Sequence, residues 1–410
     1  MILEKLRSLR SDHIWHQIYG FAQQYPNTYA ALQVLAALVG YVYLLLFPVL
    51  LLAGIWTLGS YVVLEQASGN AMHFIGWTLI TGISAMVTIQ LTKIKFFSTP
   101  GITLDAPMAN KLHLLLDKFA DETTIPRIDR IVVTEQLSID LVKTPTMAIP
   151  FWSSNTLVIG LPLMQCLTPE YFECAVIRKL LQYTKRRNCL IKWLHQLRNV
   201  WLLYMNVLSK NITLGTLPLA IFFKLYAPLY RDLTTPVAHR NELDADLDTL
   251  QFVNDEDLLQ TIEAVIVAKI YLDQQYWPKI RKSLKENQDI DIQPYSKLEE
   301  MLKQGLTTKN TKRWLDSVFE SESHRLKAIP SLRARMHNIG RARIRIPERL
   351  QQTAAQAYLE HDYLKIVDSV NQLWKQRHSR IPGHPVSATH SLIAAQQSGV
   401  ATQFSSKAYQ

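Results

Sequence analysis

Two long stretches without a formal charge constrain this chain more than any other feature. Leu32 to Leu64 holds no Asp, Glu, Lys or Arg, and neither does Ala71 to Leu91. A hydrocarbon core about 30 Å thick is crossed by roughly 20 helical residues rising about 1.5 Å each. The second stretch fits one crossing. The first is longer than one crossing needs, and Pro48 near its middle marks either a kink or an extension beyond the bilayer. Only Glu65 to Asn70 joins the two, so they read as a transmembrane helical hairpin with both ends on one side. Lys5, Arg7 and Arg10 precede the hairpin and Lys93 and Lys95 follow it, while the connecting turn carries no Lys or Arg. The positive-inside rule places both ends, and with them the soluble part, in the cytoplasm. The expectation is a multi-pass protein, of the bacterial inner-membrane kind, with the lipid bilayer as its first partner.

The charge balance is basic, with 44 Lys and Arg against 34 Asp and Glu. Such an excess suits nucleic acid or anionic lipid. No zinc-knuckle spacing, stacked-aromatic signature or Gly-rich phosphate loop accompanies it, so no nucleic-acid partner is expected and lipid is favoured. Cys166, Cys174 and Cys189 lie on apolar stretches without Cys-x-x-Cys pairing, which suits buried thiols in a reducing compartment. Residues 1–30 bring Lys5, Arg7 and Arg10 and then Trp15, Ile18, Tyr19 and Phe21, the pattern of an amphipathic lead against a membrane surface. The apolar run that follows is too long, and lacks the cleavage site, for a secretory signal.

Beyond the hairpin the patterning is mainly α with a small β-sheet, an α+β class. Leu112, Leu115, Leu116 and Phe119 recur at helical spacing, and Ile131–Thr134 and Leu157–Ile159 read as strands. Val200–Leu208 is too short to span a bilayer. Leu214–Tyr230 is interrupted by Pro218, Lys224 and Pro228, so both read as buried or interfacial helices. Glu242 to Leu272 reads as one helix, Lys279 to Gln304 as a polar surface connection with a short helix, and Arg349 to Arg377 as a final helix. Arg333, Arg335, Arg341, Arg343 and Arg345 form a basic stretch, read as a solvated face or a contact with the anionic inner leaflet. Residues 379–410, rich in Ser, Gln and Ala, read as a disordered tail.

The stretch most informative about function is Cys174 to Asn188. Thr156-Leu-Val-Ile-Gly-Leu-Pro-Leu-Met-Gln-Cys-Leu-Thr-Pro-Glu170 leads into Ala175-Val-Ile-Arg178. A strand, a Gly-Leu-Pro turn, a Leu-Thr-Pro-Glu helix start and an Ala-Val-Ile run together resemble the frame around the His-Glu-x-x-His helix of membrane-anchored zinc metallopeptidases of the HtpX, Oma and CAAX-prenyl-protease type. His239-Arg-Asn-Glu-Leu-Asp-Ala-Asp246 is similar to that family's Arg-x-x-Glu-x-x-Ala-Asp. Ala328-Ile-Pro-Ser-Leu-Arg-Ala-Arg-Met336 is similar to its Thr-His-Pro-Ser-Leu-x-x-Arg segment. Tyr226–Tyr230 and Tyr276–Pro278 also resemble segments of one bacterial branch, so the likeness runs from about Gln33 to His378.

In that register the ligands and base are gone. Lys179 stands for the first zinc-binding histidine, Leu180 for the catalytic glutamate, Gln182 for the glycine and Tyr183 for the second histidine. Glu242, at the third ligand position, and Asp246, at the position that supports the first histidine, are kept. Zinc peptidase chemistry needs three protein ligands, an open water position and a base. No cofactor is therefore expected, although zinc serves the active relatives; a relocated site would have to draw on His195, His239 or His324.

The resemblance implies the following organisation: a cytoplasmic lead (1–30), a transmembrane hairpin (31–95), a zincin-like metallopeptidase domain (96–345), a C-terminal helix (346–378) and the tail (379–410). It also implies a substrate-pairing sheet edge at Thr156, Leu157, Val158 and Ile159. The expected function is a catalytically inactive relative that binds other membrane proteins or peptide segments, as an adaptor or as a regulator of an active protease. The alternative is a membrane-bound zinc metalloendopeptidase with rearranged ligands, engaged in membrane-protein quality control. A buried dication removed from between helices would leave carboxylates uncompensated. An ion cluster of Lys179, Glu242 and Asp246, closed by Tyr183, is expected in its place.

Overall fold

The first uncharged stretch forms one helix, α1 (Pro26–Val63), that continues through Pro48, and the second forms α2 (Ala71–Lys93). The computed structural model describes residues 19–22, 24–63, 71–93, 101–105, 107–122, 127–146, 149–183, 189–210, 212–286, 292–320, 329–341, 343–344, 346–347 and 350–379. Most of the expected lead, the turn after Val63, Lys95 and all but the first residue of the expected tail lie outside these residues. Contacts divide the chain into two units: Met1–Phe97 with Pro145–Ser153 and Leu190–Pro236, and Ser98–Thr144 with Ser154–Cys189 and Val237–Gln410.

In the first unit, α1 and α2 are long and apolar enough to cross a membrane, and within their most apolar windows only 17% and 11% of residues are buried. A core helix of a soluble protein would show the opposite. Gly54 and Thr81 bring the two helices close together, since a Cβ at Gly54 would stand 1.9 Å from the Thr81 Oγ1. With no Cβ at Gly54, the two helices can pack this closely. Tyr61 meets Phe74 edge-on at 6.3 Å. The same antiparallel offset sets Lys93 level with Val42, so the first four turns of α1 run on past the end of α2.

That overhang answers the length problem posed by the sequence. It is matched along its side by α7 (Leu217–Leu233), which follows α6 (Cys189–Lys210). Tyr43 donates to the Pro218 carbonyl at 3.0 Å, Tyr226 to the Ala36 carbonyl at 2.5 Å, and Gln33 to the Leu233 carbonyl at 3.1 Å. These bonds run in order down two antiparallel helices. Trp201, Tyr204, Phe223 and Tyr230 fill the core between them, and Tyr43 stacks on Phe222 at 3.8 Å. Among the described residues, only α1 and α2 meet the length and apolarity of a span, so α6 and α7 are packed helices of this unit. On the outer side of α7, Leu217, Ile221, Leu225 and Leu229 form an exposed row at four-residue spacing.

The second unit is built around a mixed sheet of order β1-β2-β4-β3. β1 (Ile102–Leu104) is antiparallel to β2 (Arg130–Thr134), and β2 is parallel to β4 (Ile149–Gly160) with Ile131 opposite Leu157. β3 (Ile139–Thr146) lies outside β4. Four of the five β2 residues are buried, as expected of an Ile-Val-Val run in a strand covered on both faces. α3 (Asn110–Glu122), α4 (Leu161–Cys166) and α5 (Pro169–Leu181) pack with it into one core. The Thr-Pro-Glu start of α5 acts as the sequence suggests. Thr168 accepts the Tyr171 N–H, Pro169 occupies the first turn, and Glu170 faces the positive end of the helix dipole.

Downstream the helices are more broken than expected. The single helix expected from Glu242 to Leu272 is two, α8 (Thr235–Thr249) and α9 (Asp255–Tyr271), separated at Asn254, which sits in extended conformation at the N-cap of α9. A π-helical turn, Leu272–Tyr276, leads into α10 (Trp277–Glu286). The connection expected on the surface between Lys279 and Gln304 instead carries a core residue. Tyr295 is fully buried and donates to the Glu135 carbonyl at 3.0 Å. α11 (Leu298–Gly305), α12 (Thr308–Glu320) and α13 (Leu332–Ile339) follow, the last capped by Ser331 and ended by Gly340 at φ 82. The expected final helix is two, α14 (Ala354–Leu359) and α15 (Tyr363–Ser379), and both pack into the sheet core through Tyr358, Val370 and Trp374.

Candidate functional site

Glu242 and Asp246 stand one turn apart on α8 and so share a face. That face meets α5 at Arg178. The Arg178 Nη2 lies 2.5 Å from the Glu242 Oε2, and its Nε donates to the Asp246 Oδ1 at 2.6 Å. From α13, Arg335 grips the same aspartate with both arms of its fork, Nε to Oδ2 at 2.8 Å and Nη2 to Oδ1 at 2.7 Å. Asp246 has no exposed surface. Two guanidiniums therefore balance two carboxylates in a buried, charge-assisted network.

The expected cluster is corrected in one respect: its direct cation is Arg178, one residue before Lys179. Consecutive helix positions point about 100° apart, so only one of the pair can face α8. Arg178 does, and its planar fork, with donors held in fixed directions, matches two carboxylates a turn apart. Lys179 turns to the sheet, where its Nζ lies 2.6 Å from the Asp140 Oδ1 on β3. The Lys179 charge still acts on Glu242, and Tyr183 is buried where the charges of Lys179, Asp140 and Glu242 all bear on its hydroxyl.

Burial alone would raise the Glu242 carboxyl pKa, but Arg178, Lys179 and Arg335 outweigh it and hold the group down at about 2. Asp246 is also held below the usual carboxylate range, its burial outweighed by Arg335 and Arg178. For Arg178 the same balance runs the other way. Burial favours losing the proton, yet Asp246 and Glu242 together keep the guanidinium firmly charged. Burial pushes the Tyr183 phenol up and keeps it a neutral donor.

The expected sheet edge is also corrected. Thr156 to Ile159 belong to β4, which lies between β2 and β3, and their backbone faces Arg130 to Val133 in register. β3 is the outer strand beyond it. The sequence reading missed β3 because Asp140, Lys143 and Pro145 interrupt the apolar alternation that marks a strand. Leu180, at the position of the catalytic base, lines a cavity of about 240 Å³ with His113, Asp117, Arg127 and Asp129, and none of the network residues borders it. The basic stretch does not act as one face. Arg335 is in the network, Arg341 pairs with Asp255, Arg333 lies 4.8 Å over the Phe319 ring, and Arg345 is outside the described residues.

Comparison with known proteins gives no match: no family model, curated protein or solved structure resembles the chain significantly. The resemblance noted above therefore rests on the quoted motifs alone. Among the described residues, no group of three or more His, Cys, Asp and Glu side chains is disposed to hold a metal ion. The residues at the ligand positions do not fit zinc: the carboxylate oxygens a dication would need are already held by Arg178 and Arg335, and Lys179 brings a further positive charge.

Proposed function

We propose that this is a membrane-anchored, catalytically inactive member of the zinc metallopeptidase type it resembles, working as a binding or regulatory module. In this reading α1 and α2 cross the membrane as a hairpin and the second unit is a cytoplasmic zincin-like domain. One observation carries it. Where the resemblance calls for a metal between the helix of the lost His-Glu-x-x-His motif and the helix of Glu242 and Asp246, those helices are joined by Arg178 and its two carboxylates. The site retains the helix pairing and has no base at Leu180, so its surviving use is to hold a segment and not to cut it.

The segment is an extended stretch of another membrane protein, lying along β3. The Asp140–Lys179 ion pair ties that outer strand to α5. Adding a strand supplies main-chain hydrogen bonds without catalysis. A photo-crosslinking residue at Val142 on β3 should then capture membrane-protein partners in cells, and one at Val158 on the inner strand should not. Elemental analysis and a casein proteolysis assay on the detergent-purified chain should give no stoichiometric zinc and no cleavage. About one zinc per chain, lost on Glu242→Ala, would establish the metalloendopeptidase alternative. For topology, Ser283→Cys should resist a membrane-impermeant thiol reagent in intact cells, and labelling from outside would overturn the cytoplasmic placement.

A further inference from the structure

The first unit contains a second buried arginine with the opposite surroundings. Arg198 on α6 keeps only 8% of its surface, and its Nη1 is buried without a hydrogen-bond partner. No ion pair reaches it among the described residues. The charges bearing on it are Arg231, Asp232 and Tyr230 of α7. Asp232 is already engaged by Arg231, through Nε at 2.9 Å and Nη2 at 2.9 Å. The buried Arg198 guanidinium therefore has no carboxylate of its own, and the nearby Asp232 is committed to an Arg231 pair that is itself exposed.

Two further donors of this unit are buried without a partner. Trp201, one turn along the same face of α6, buries its indole N–H without an acceptor, and the Tyr230 hydroxyl is buried without a partner. Burial, followed by the Arg231 charge, pulls the Arg198 guanidinium down to about 10. Native interiors rarely leave buried donors unsatisfied, so a cluster of them facing excess positive charge marks a place for an acceptor.

We propose that Arg198, with the Tyr230 hydroxyl and Arg231, forms a binding site for the phosphate group of an anionic phospholipid. A phosphate offers the oxygens and the negative charge that this cluster lacks, and a guanidinium is its preferred partner. The choice of a lipid source rests on the adjoining surface. The row Leu217, Ile221, Leu225 and Leu229 on α7 is exposed, and α1, which packs along α7, exposes Leu32, Leu35, Leu38 and Val42 of its own. The α7 row ends just before Arg231 and Asp232, so the apolar surface gives way to charge at the level of this site. An acyl chain on the row would place its phosphate where the unpaired donors are.

The test is thermal unfolding of the delipidated full chain in a neutral detergent, titrated separately with phosphatidylglycerol, phosphatidylcholine and inorganic phosphate. At about a hundredfold excess over Kd, phosphatidylglycerol should raise the wild-type Tm by about 5 °C. Arg198→Met should abolish that rise while leaving the lipid-free Tm unchanged or higher, because the variant no longer buries an unpaired charge. Tyr230→Phe should fold normally and weaken binding about fivefold, which keeps the site testable should Arg198→Met fail to fold. An equal, Arg198-dependent rise with inorganic phosphate would assign the site to free phosphate and overturn the lipid source. If phosphatidylglycerol stabilises wild type and Arg198→Met alike, or if Arg198→Met lowers Tm equally with and without lipid, the arginine is a packing residue and the site does not exist.

Discussion

Arg178, largely buried, and Arg198, buried, both stand on helices rich in apolar residues, and they teach opposite lessons. In the second unit Arg178 meets two carboxylates a turn apart, and a second arginine completes the set. In the first unit Arg198 meets a second arginine and a carboxylate already engaged by that neighbour. A buried charge is tolerated when its partners are built in, and otherwise calls for something from outside. The site expected to have lost its ligand is therefore electrostatically closed, and the region read from sequence as plain packing is open.

The sharpest way to break this contrast is to remove each arginine. Arg178→Met should destabilise the folded chain by about 3 to 5 kcal/mol, the range for stripping one partner from a buried pair. Denaturant unfolding in detergent measures it. Acid should act on the same network by nearly as much. The Glu242 carboxyl binds its proton more weakly folded than unfolded, so its contribution is present above the ordinary glutamate pKa of about 4.3 and is lost as pH falls toward about 2. Stability should therefore drop by about 3 kcal/mol across that window, and Glu242→Gln should remove most of the slope. A chain equally stable at both ends of the window would show that the carboxylate is not held by its neighbours.

Smaller effects sharpen the comparison. Lys179→Met should cost only about 1 to 2 kcal/mol, because it strips one carboxylate contact where Arg178→Met strips two, one of them to the fully buried Asp246. A loss as large as that of Arg178→Met would restore Lys179 as the central cation. The smallest effect belongs to Arg198→Met, expected within about 1 kcal/mol of wild type in lipid-free detergent, since it removes a charge that has no partner to lose. A loss of about 3 kcal/mol there would reveal a hidden counter-charge and erase the difference between the two regions.

Much of this was written plainly in the sequence, and the failures have physical causes. Length and lack of charge identify α1 and α2, and Thr168-Pro-Glu170 fixes the start of α5 because capping is local. Glu242 and Asp246 were legible as a pair because four-residue spacing puts them on one helix face. Which cation would meet them was not, because the choice between Arg178 and Lys179 depends on how α5 is rotated about its axis, a tertiary property. Arg335 stood in a recognisable motif, but only the packing of α13 reveals that it is buried against Asp246 instead of joining its basic neighbours at the surface. The long α1 was ambiguous for a similar reason: its overhang makes sense only once α7 lies beside it. Arg198 gave no signal, since an unsatisfied donor is defined by what surrounds it in space.

The central claim is that guanidinium, through Arg178, joins the two helices at the place the resemblance reserves for a metal. A double-mutant cycle on Arg178 and Glu242 tests it most directly, with unfolding free energies of wild type, Arg178→Met, Glu242→Gln and the double variant measured at neutral pH. The account predicts that the double variant recovers part of the loss of Arg178→Met, with a coupling of about 2 kcal/mol or more. Two single effects that simply add, within about 0.5 kcal/mol, would mean the residues do not meet and would contradict it.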